Sequence, residues 1–277
     1  MEQFRRGELV FDVRDEGPAD GPVVVLLHGF PQRNDSWSAV INKLTAQGFR
    51  CLAPNQRGYS PGARPPRRRD YRMSELVADV AALIDASGTE RVHLVGHDWG
   101  AAVAWNVAAR LPERLVSVSP ISVPHPAAFA KAVLTSRQVL ASWYMFFFHL
   151  PRVPERLLLR RDGSTTAMAV SLERGGQTPA NAASDVAAMS EPGALTAALN
   201  WYRAMLMAKA PGKITVPTMY VWSDADDALL DKAAYASGNY VSADYRFETL
   251  RGVSHWIPQE RPDTVADLLL DWFGSHS

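Results

Sequence analysis

Five residues constrain this chain more than any other stretch: Gly96-His97-Asp98-Trp99-Gly100. An apolar run at 91–95 leads into them and a helix-like run at 101–110 leads away. A chain that turns from strand to helix in so few residues brings backbone against backbone, and glycine on each side of the turn permits it. Such a turn lifts its middle residue to the end of the strand and leaves the next backbone N–H free for an oxyanion. Serine is the usual middle residue; here it is Asp98. A serine attacks only after a base takes its proton. A carboxylate is already ionised at neutral pH and attacks a saturated carbon, leaving an ester. Alone, the string also reads as two glycines met by chance, so the rest of the chain has to decide.

The 277 residues allow one or two domains, and 47% hydrophobic content supplies a substantial core, which excludes disordered and small disulfide-stapled classes. Lys+Arg and Asp+Glu both number 29, so no long-range field draws the chain to nucleic acid. The single cysteine, Cys51, permits no intramolecular disulfide and sits in an apolar run, where it is expected to be buried and inert. Residues 1–13 carry charges throughout, unlike a signal peptide. The most apolar stretch, 143–150, is far shorter than the roughly 20 residues a membrane span takes. The expectation is a soluble cytoplasmic protein with no membrane or nucleic-acid partner.

An opening antiparallel pair is expected at 3–6 and 9–14, then a buried strand at 23–27 that runs into His28-Gly29-Phe30-Pro31. Helical spacing follows at 36–46, a short strand at 50–53, and a Pro-, Gly- and Arg-rich loop at 55–70. Arg64 and Arg67 to Arg69 form a basic patch, but its prolines and lack of interleaved aromatics make it a solvated loop. A helix at 74–86 presents Leu76, Val77, Val80, Leu83 and Ile84 on one face, and Gly88 stops it. Strand 115–121 follows the elbow helix. Strands alternating with helices argue for a parallel sheet covered by helices. From 124 to 212 the alternation breaks into helical patches with no strand. It resumes with a strand at 218–222, a helix near 229–236, a strand at 245–250 and a helix at 264–273. A helical insert in such a sheet lies over the carboxyl ends of the strands, where ligands bind, so 125–212 reads as a lid.

With these residues placed, nearly the whole chain resembles the α/β-hydrolase fold, and within it the soluble epoxide hydrolases. The matching strings are His28-Gly29-Phe30-Pro31, Arg57-Gly58-Tyr59, the elbow, Val123-Pro124-His125-Pro126, Leu199-Asn200-Trp201-Tyr202-Arg203 and Ser254-His255-Trp256. Asn55 stands where many relatives have aspartate and Ser223 where many have glycine. The resemblance implies a mostly parallel central sheet flanked by helices, with a helical cap inserted after the sixth strand. Residues 1–124 and 213–277 then form the core and 125–212 the cap.

The fold's order of nucleophile, acid and histidine suits Asp98, an acid after strand 218–222, and His255 in the loop after the last strand. Asp224, Asp226 and Asp227 compete for the acid; the spacing in relatives picks Asp226, whose task would be to hold the imidazole tautomer and offset its charge. The resemblance implies an oxyanion hole from the backbone N–H groups of Phe30 and Trp99, with Pro31 following a cis peptide bond. It also implies two lid tyrosines that assist ring opening. Tyr202 matches one and shares a helical face with Leu195, Leu199 and Leu206; Tyr144 matches the other. His28, Pro31, Trp99, Phe148 and Trp201 are expected around the substrate, an apolar or aromatic epoxide, with no metal or organic cofactor. The monomer and the homodimer are equally compatible with the sequence. Two rivals stand beside this reading. A haloalkane dehalogenase shares Asp-Trp in the elbow and would draw a second halide donor from Trp143 or Trp201. A non-enzymatic ligand-binding module on the same fold would have no use for the full catalytic set.

Overall fold

The structure, a computed structural model, describes residues 1–205 and 207–276; Leu206, counted above on the face of Tyr202, lies outside them. The main sheet has eight strands: β1 (Gln3–Arg6), β2 (Leu9–Glu16), β3 (Val23–Leu27), β4 (Arg50–Pro54), β5 (Val92–His97), β6 (Leu115–Ile121) and, beyond a small hairpin of β7 (Arg161–Asp162) and β8 (Thr165–Thr166), β9 (Thr218–Ser223) and β10 (Tyr245–Leu250). Their spatial order is β1-β2-β4-β3-β5-β6-β9-β10. The β1–β2 and β2–β4 pairs are antiparallel and every other pair is parallel.

The central strands are apolar along their length because both faces are covered. In β3, Val23, Val25 and Leu27 pack to one side, and Val24 and Leu26 to the other. Strand β9 divides in the same way, Tyr220 and Trp222 against Met219 and Val221. Helices α1 (Ser38–Ala46) and, at the far end of the chain, α13 (Pro262–Gly274) cover the Val24 face, with Ile41, Leu44, Leu269 and Phe273 buried there. Helices α2 (Met73–Ser87) and α3 (Trp99–Arg110) cover the Val25 face. All five residues expected on the inner face of α2 are buried, and Gly88 ends that helix at φ 77°.

Between β6 and β9 lie α4 (Pro126–Thr135), α5 (Gln138–Ala141), α6 (Trp143–Phe148), α7 (Val153–Leu158), α8 (Ala167–Arg174), α9 (Pro179–Met189) and α10 (Ala194–Met205). These helices are the cap. The β7–β8 hairpin is a strand pair that the helical reading of this region missed, because two residues per strand carry no periodicity. Helix α10 joins the cap to the core: Leu195, Leu199 and Tyr202 belong to the same apolar cluster as Leu27 and Val103. The chain closes with α11 (Asp231–Ala236), β10, α12 (Ile257–Glu260) and α13.

Loop 55–70 is not the solvated loop its composition suggested. Arg57 is buried and forms two 2.7 Å hydrogen bonds to the Asp79 carboxylate. Arg64 bonds Glu191 of the cap at 2.7 Å and donates to the carbonyls of Gly58 and Tyr59. Of its arginines, only Arg67 to Arg69 remain exposed. Arg57 therefore braces the loop from within, and Arg64 ties it to the cap.

The elbow depends on backbone proximity. A Cβ at Gly100 would lie 2.1 Å from the Leu27 carbonyl oxygen, and one at Gly96 2.2 Å from that of Gly100. Gly100→Ala is expected to lower unfolding free energy by roughly 3 kcal/mol, since strand and helix would have to separate. Gly48→Ala, at φ 87° in open space, should lose only about 1 kcal/mol to backbone strain. Urea unfolding of both variants checks the contrast, and equal losses would contradict it.

Candidate active site

Asp98 sits at the turn from β5 into α3 with φ 52° and ψ −121°, a conformation that side-chain-bearing residues rarely take. The turn is held by Ala101 and Ala102, whose N–H groups donate to the Asp98 carbonyl at 2.9 and 3.1 Å. Its carboxylate projects against the loop after β3. A Cβ at Gly29 would lie 2.3 Å from that of Asp98, so only glycine admits this approach. The Phe30 N–H donates to Asp98 Oδ1 at 2.8 Å, and the Phe30–Pro31 peptide is cis.

The second carboxylate oxygen, Oδ2, lies 3.6 Å from His255 Nε2. On the far side of the ring His255 Nδ1 donates to Asp226 Oδ2 at 2.7 Å. Of the three competing aspartates, Asp226 alone is buried. Its Oδ1 accepts from the N–H groups of Ala228 and Leu229 at 2.9 and 3.1 Å, which aims Oδ2 at the ring. Asp224 is exposed and accepts instead from Gly252 N–H at 2.7 Å, while Asp227 is exposed.

Electrostatics follow from this arrangement. Burial pulls the His255 imidazole down, but the charges and hydrogen bonds of Asp226 and then Asp98 overcome it and push it up to about 10. Burial pushes the Asp98 carboxyl up, but the His255 and Phe30 hydrogen bonds and the two neighbouring imidazoles leave it below its ordinary value.

Two positioning residues escaped the sequence. His97 Nε2 bonds the His255 carbonyl at 2.9 Å, and Ser122 Oγ donates to the same oxygen at 3.2 Å. Together they fix the backbone that carries the imidazole. The one available signal was that His97 lies within the elbow itself, beside Asp98.

The remaining expected residues divide into two groups. Phe30, Trp99, Phe148, Tyr144 and Tyr202 form an aromatic box: the Tyr202 ring centroid lies 5.0 Å from Trp99, 5.6 Å from Phe30, 4.9 Å from Phe148 and 6.2 Å from Tyr144. Burial, and then the Asp98 charge, raises both tyrosine hydroxyls well above their ordinary value, so they stay protonated. His28 and Trp201 stand behind this box rather than in it. His28 is fully buried, with Nδ1 on the Gly29 carbonyl at 3.0 Å and Nε2 accepting from Gln56 N–H at 3.1 Å, which leaves no ring nitrogen for a ligand. The Trp201 N–H is given to the Arg57 carbonyl at 2.8 Å, and its ring backs Trp99 at 5.7 Å. Pro31 is buried beside Phe30. Among the described residues, no group of three or more His, Cys, Asp or Glu side chains has metal-binding geometry.

The charge on His255 makes stability pH-dependent. Its pKa is raised from 6.5 to about 10, so the stabilisation is complete below pH 6.5 and is lost as pH rises through about 10. Urea midpoints of the unmodified protein should therefore fall, from neutral pH to about 10, relative to those of His255→Gln. Parallel curves would show that the imidazole carries no such charge.

Comparison with known proteins identifies the family and the fold. Residues 22–262 match the sequence profile of the alpha/beta hydrolase fold family. The chain is 37% identical to AB hydrolase superfamily protein YfhM of Bacillus subtilis, with 95% of this chain and 94% of that one covered. It is 30% identical to epoxide hydrolase A of Mycobacterium tuberculosis over 94% of this chain and 92% of the relative. The crystal structure of epoxide hydrolase A from Mycobacterium thermoresistibile superposes with a TM-score of 0.82 at 26% identity, covering 99% of this chain and 98% of the other.

Proposed function

Since the chain belongs to the α/β-hydrolase fold family, and within it to the epoxide hydrolases, we propose that it adds water to an apolar epoxide through an ester on Asp98, giving a vicinal diol. The observation that carries this reading is the division of the Asp98 carboxylate, with Oδ1 on the Phe30 N–H and Oδ2 facing His255 Nε2. Oδ2 is then the attacking atom and Oδ1 the atom that bears negative charge when the ester is hydrolysed.

Attack of Oδ2 on an epoxide carbon forms the ester C–O bond and breaks the ring C–O bond. The ring oxygen leaves as an alkoxide, which is far more basic than a carboxylate and has to be protonated. In this reading Tyr144 and Tyr202, in the cap opposite Asp98, donate to it; their raised pKa suits donors that remain protonated until the ring opens. Esterification also removes the Asp98 charge, one of the two that hold the proton on His255. The imidazolium then becomes more acidic and makes good the proton taken up by the alkoxide. The neutral imidazole, oriented by Asp226, takes a proton from water, which attacks Cγ of the ester. The adduct then collapses by breaking the Cγ–Oδ2 bond. The departing diol oxygen takes up the proton of the new carboxyl group, which restores the Asp98 carboxylate and the imidazolium. Phe30 N–H and, as the second donor, Trp99 N–H stabilise the oxyanion on Oδ1. No metal or organic cofactor enters the route.

The haloalkane dehalogenase reading is weakened by the fate of its second donor. Halide departure needs N–H groups rather than a proton, and the Trp201 N–H is already given to Arg57. Trp143 is 65% exposed on the outside of the cap, and position 30 carries a phenyl ring. In a pure binding module, the buried charge triad of Asp98, His255 and Asp226 would have no task.

Turnover of a panel of epoxides and haloalkanes tests the proposal. Diol formation without halide release is expected, and halide release without diol formation would reverse it. Replacing both Tyr144 and Tyr202 by Phe should slow epoxide opening by roughly 10²-fold or more, with the fold retained by circular dichroism. An unchanged rate would remove the tyrosines from the mechanism. Asp226→Asn should slow ester hydrolysis roughly 10³–10⁴-fold, while Asp224→Asn and Asp227→Asn leave pre-steady-state rates near those of the unmodified protein. A severe effect at Asp224 instead would show that another acid holds the imidazole.

A further inference from the structure

Helix α6 has two kinds of aromatic residue. Tyr144 and Phe148 turn inward to the box around Tyr202, and Trp143 and Phe146 turn outward, 65% and 64% exposed. The outward pair belongs to a larger surface. Of the ten exposed large apolar side chains among the described residues, eight lie between 134 and 157: Leu134, Val139, Leu140, Trp143, Phe146, Leu150, Val153 and Leu157. Leu140 apart, those from Val139 to Leu157 recur at alternate intervals of four and three residues, and α4, α5 and α6 pack one on the next. Surface apolar residues are ordinary when scattered, but a concentration of this kind marks an interaction surface.

The charge of this surface is one-sided. Residues 115–154 contain Lys131, Arg137 and Arg152 and no aspartate or glutamate, and Arg156, Arg160 and Arg161 follow. All six are exposed, and among the described residues none pairs with a carboxylate. Glu155, the one acid among them, is held by Arg203 at 2.8 Å. Beside Leu150 and Val153 opens a cleft of about 580 Å³, lined by Arg68 from the core and by His149, Arg152, Glu155, Arg156 and Asn200 from the cap. Asn200, also in the lining, is 7% exposed. Three guanidinium groups without a carboxylate partner among the described residues, lining one cleft, are suited to a phosphate.

We propose that the outer face of α5–α7 docks on an anionic phospholipid bilayer, with a headgroup phosphate in the Arg68–Arg152–Arg156 cleft and with Trp143 and Phe146 at the acyl boundary. Cationic side chains around an exposed apolar stripe with a surface tryptophan are what peripheral binding to anionic lipid requires, and it requires no spanning helix. A second copy of this chain fits less well. A two-fold interface sets a patch against itself, and here six unpaired cations would meet their own copies, with Glu155 already held by Arg203 and Asp162 at the border. A bilayer is also the phase in which apolar ligands accumulate, directly over the aromatic box; this clause alone rests on the function proposed above.

Co-sedimentation of the full chain with vesicles tests the proposal. One set is pure phosphatidylcholine, the other equal parts phosphatidylcholine and phosphatidylglycerol. Binding is expected to the anionic set only and to fall steeply with added salt. Trp143→Ser with Phe146→Ser should weaken it by roughly tenfold, and Arg152→Gln with Arg156→Gln by roughly tenfold or more. Circular dichroism and turnover of a water-soluble epoxide establish that each variant is folded, while the vesicle readout does not depend on turnover. Absence of vesicle binding, or equal binding by all variants, overturns the proposal. Concentration-dependent dimerisation lost in the Trp143/Phe146 variant, without vesicle binding, overturns it in favour of a second copy. Binding to polyglutamate but to no vesicle overturns it in favour of an acidic polypeptide.

Discussion

Asp98 and Asp226 approach one imidazole from opposite sides, and the arrangement of the site follows from keeping both of them charged in a buried place. A charge in poor contact with water needs an opposite charge beside it, and burial pushes the Asp98 carboxyl toward taking up a proton. The His255 imidazole supplies that charge, with Nδ1 2.7 Å from Asp226 and Nε2 3.6 Å from Asp98. The sheet supplies the positions. Asp98 follows β5, Ser122 follows β6, Asp226 follows β9 and His255 follows β10, so the site gathers at the carboxyl ends of four adjacent parallel strands. Buried pairs of this kind are poor sources of stability, since desolvation cancels much of the attraction. In the function proposed above their value is in chemistry: a charge triad would change protonation when one member became a neutral ester.

Glycine makes that convergence possible. Helix α3 reaches the end of β3 because positions 96 and 100 lack a side chain, and the Phe30 N–H reaches Asp98 because position 29 lacks one. Those contacts were legible in the sequence as strings, Gly96 to Gly100 and His28 to Pro31, because close backbone approach leaves a residue-type signature. The same holds for the central strands, whose continuous apolar runs record burial on both faces.

Other features leave no such signature. His28 and Trp201 were expected beside the substrate, since a motif gives position in the chain but not which way a side chain points. The structure turns both toward backbone groups, Gln56 N–H and the Arg57 carbonyl, behind the aromatic box. His97 and Ser122 were missed for the opposite reason: their partner is the His255 carbonyl, 158 and 133 residues distant, and a backbone oxygen has no residue type to recognise. Arg64 resembled a solvated cation until its partner in the cap, Glu191, was seen. Helix α6 shows the limit most clearly, because its aromatic run read as one apolar segment although half of it faces the site and half faces outward.

The central claim is that Asp98 becomes covalently attached to the substrate, and the origin of the product oxygen tests it most directly. A single turnover of excess enzyme in heavy-oxygen water distinguishes two routes to the same diol. If Asp98 Oδ2 attacks and water then hydrolyses the ester at Cγ, the first diol carries an oxygen from the protein, and solvent oxygen remains in the side chain. Mass spectrometry should then find largely unlabelled diol, with label in the peptide that contains Asp98. Labelled diol from the first turnover, with none in that peptide, would mean that water attacks the epoxide directly and that Asp98 is not the nucleophile.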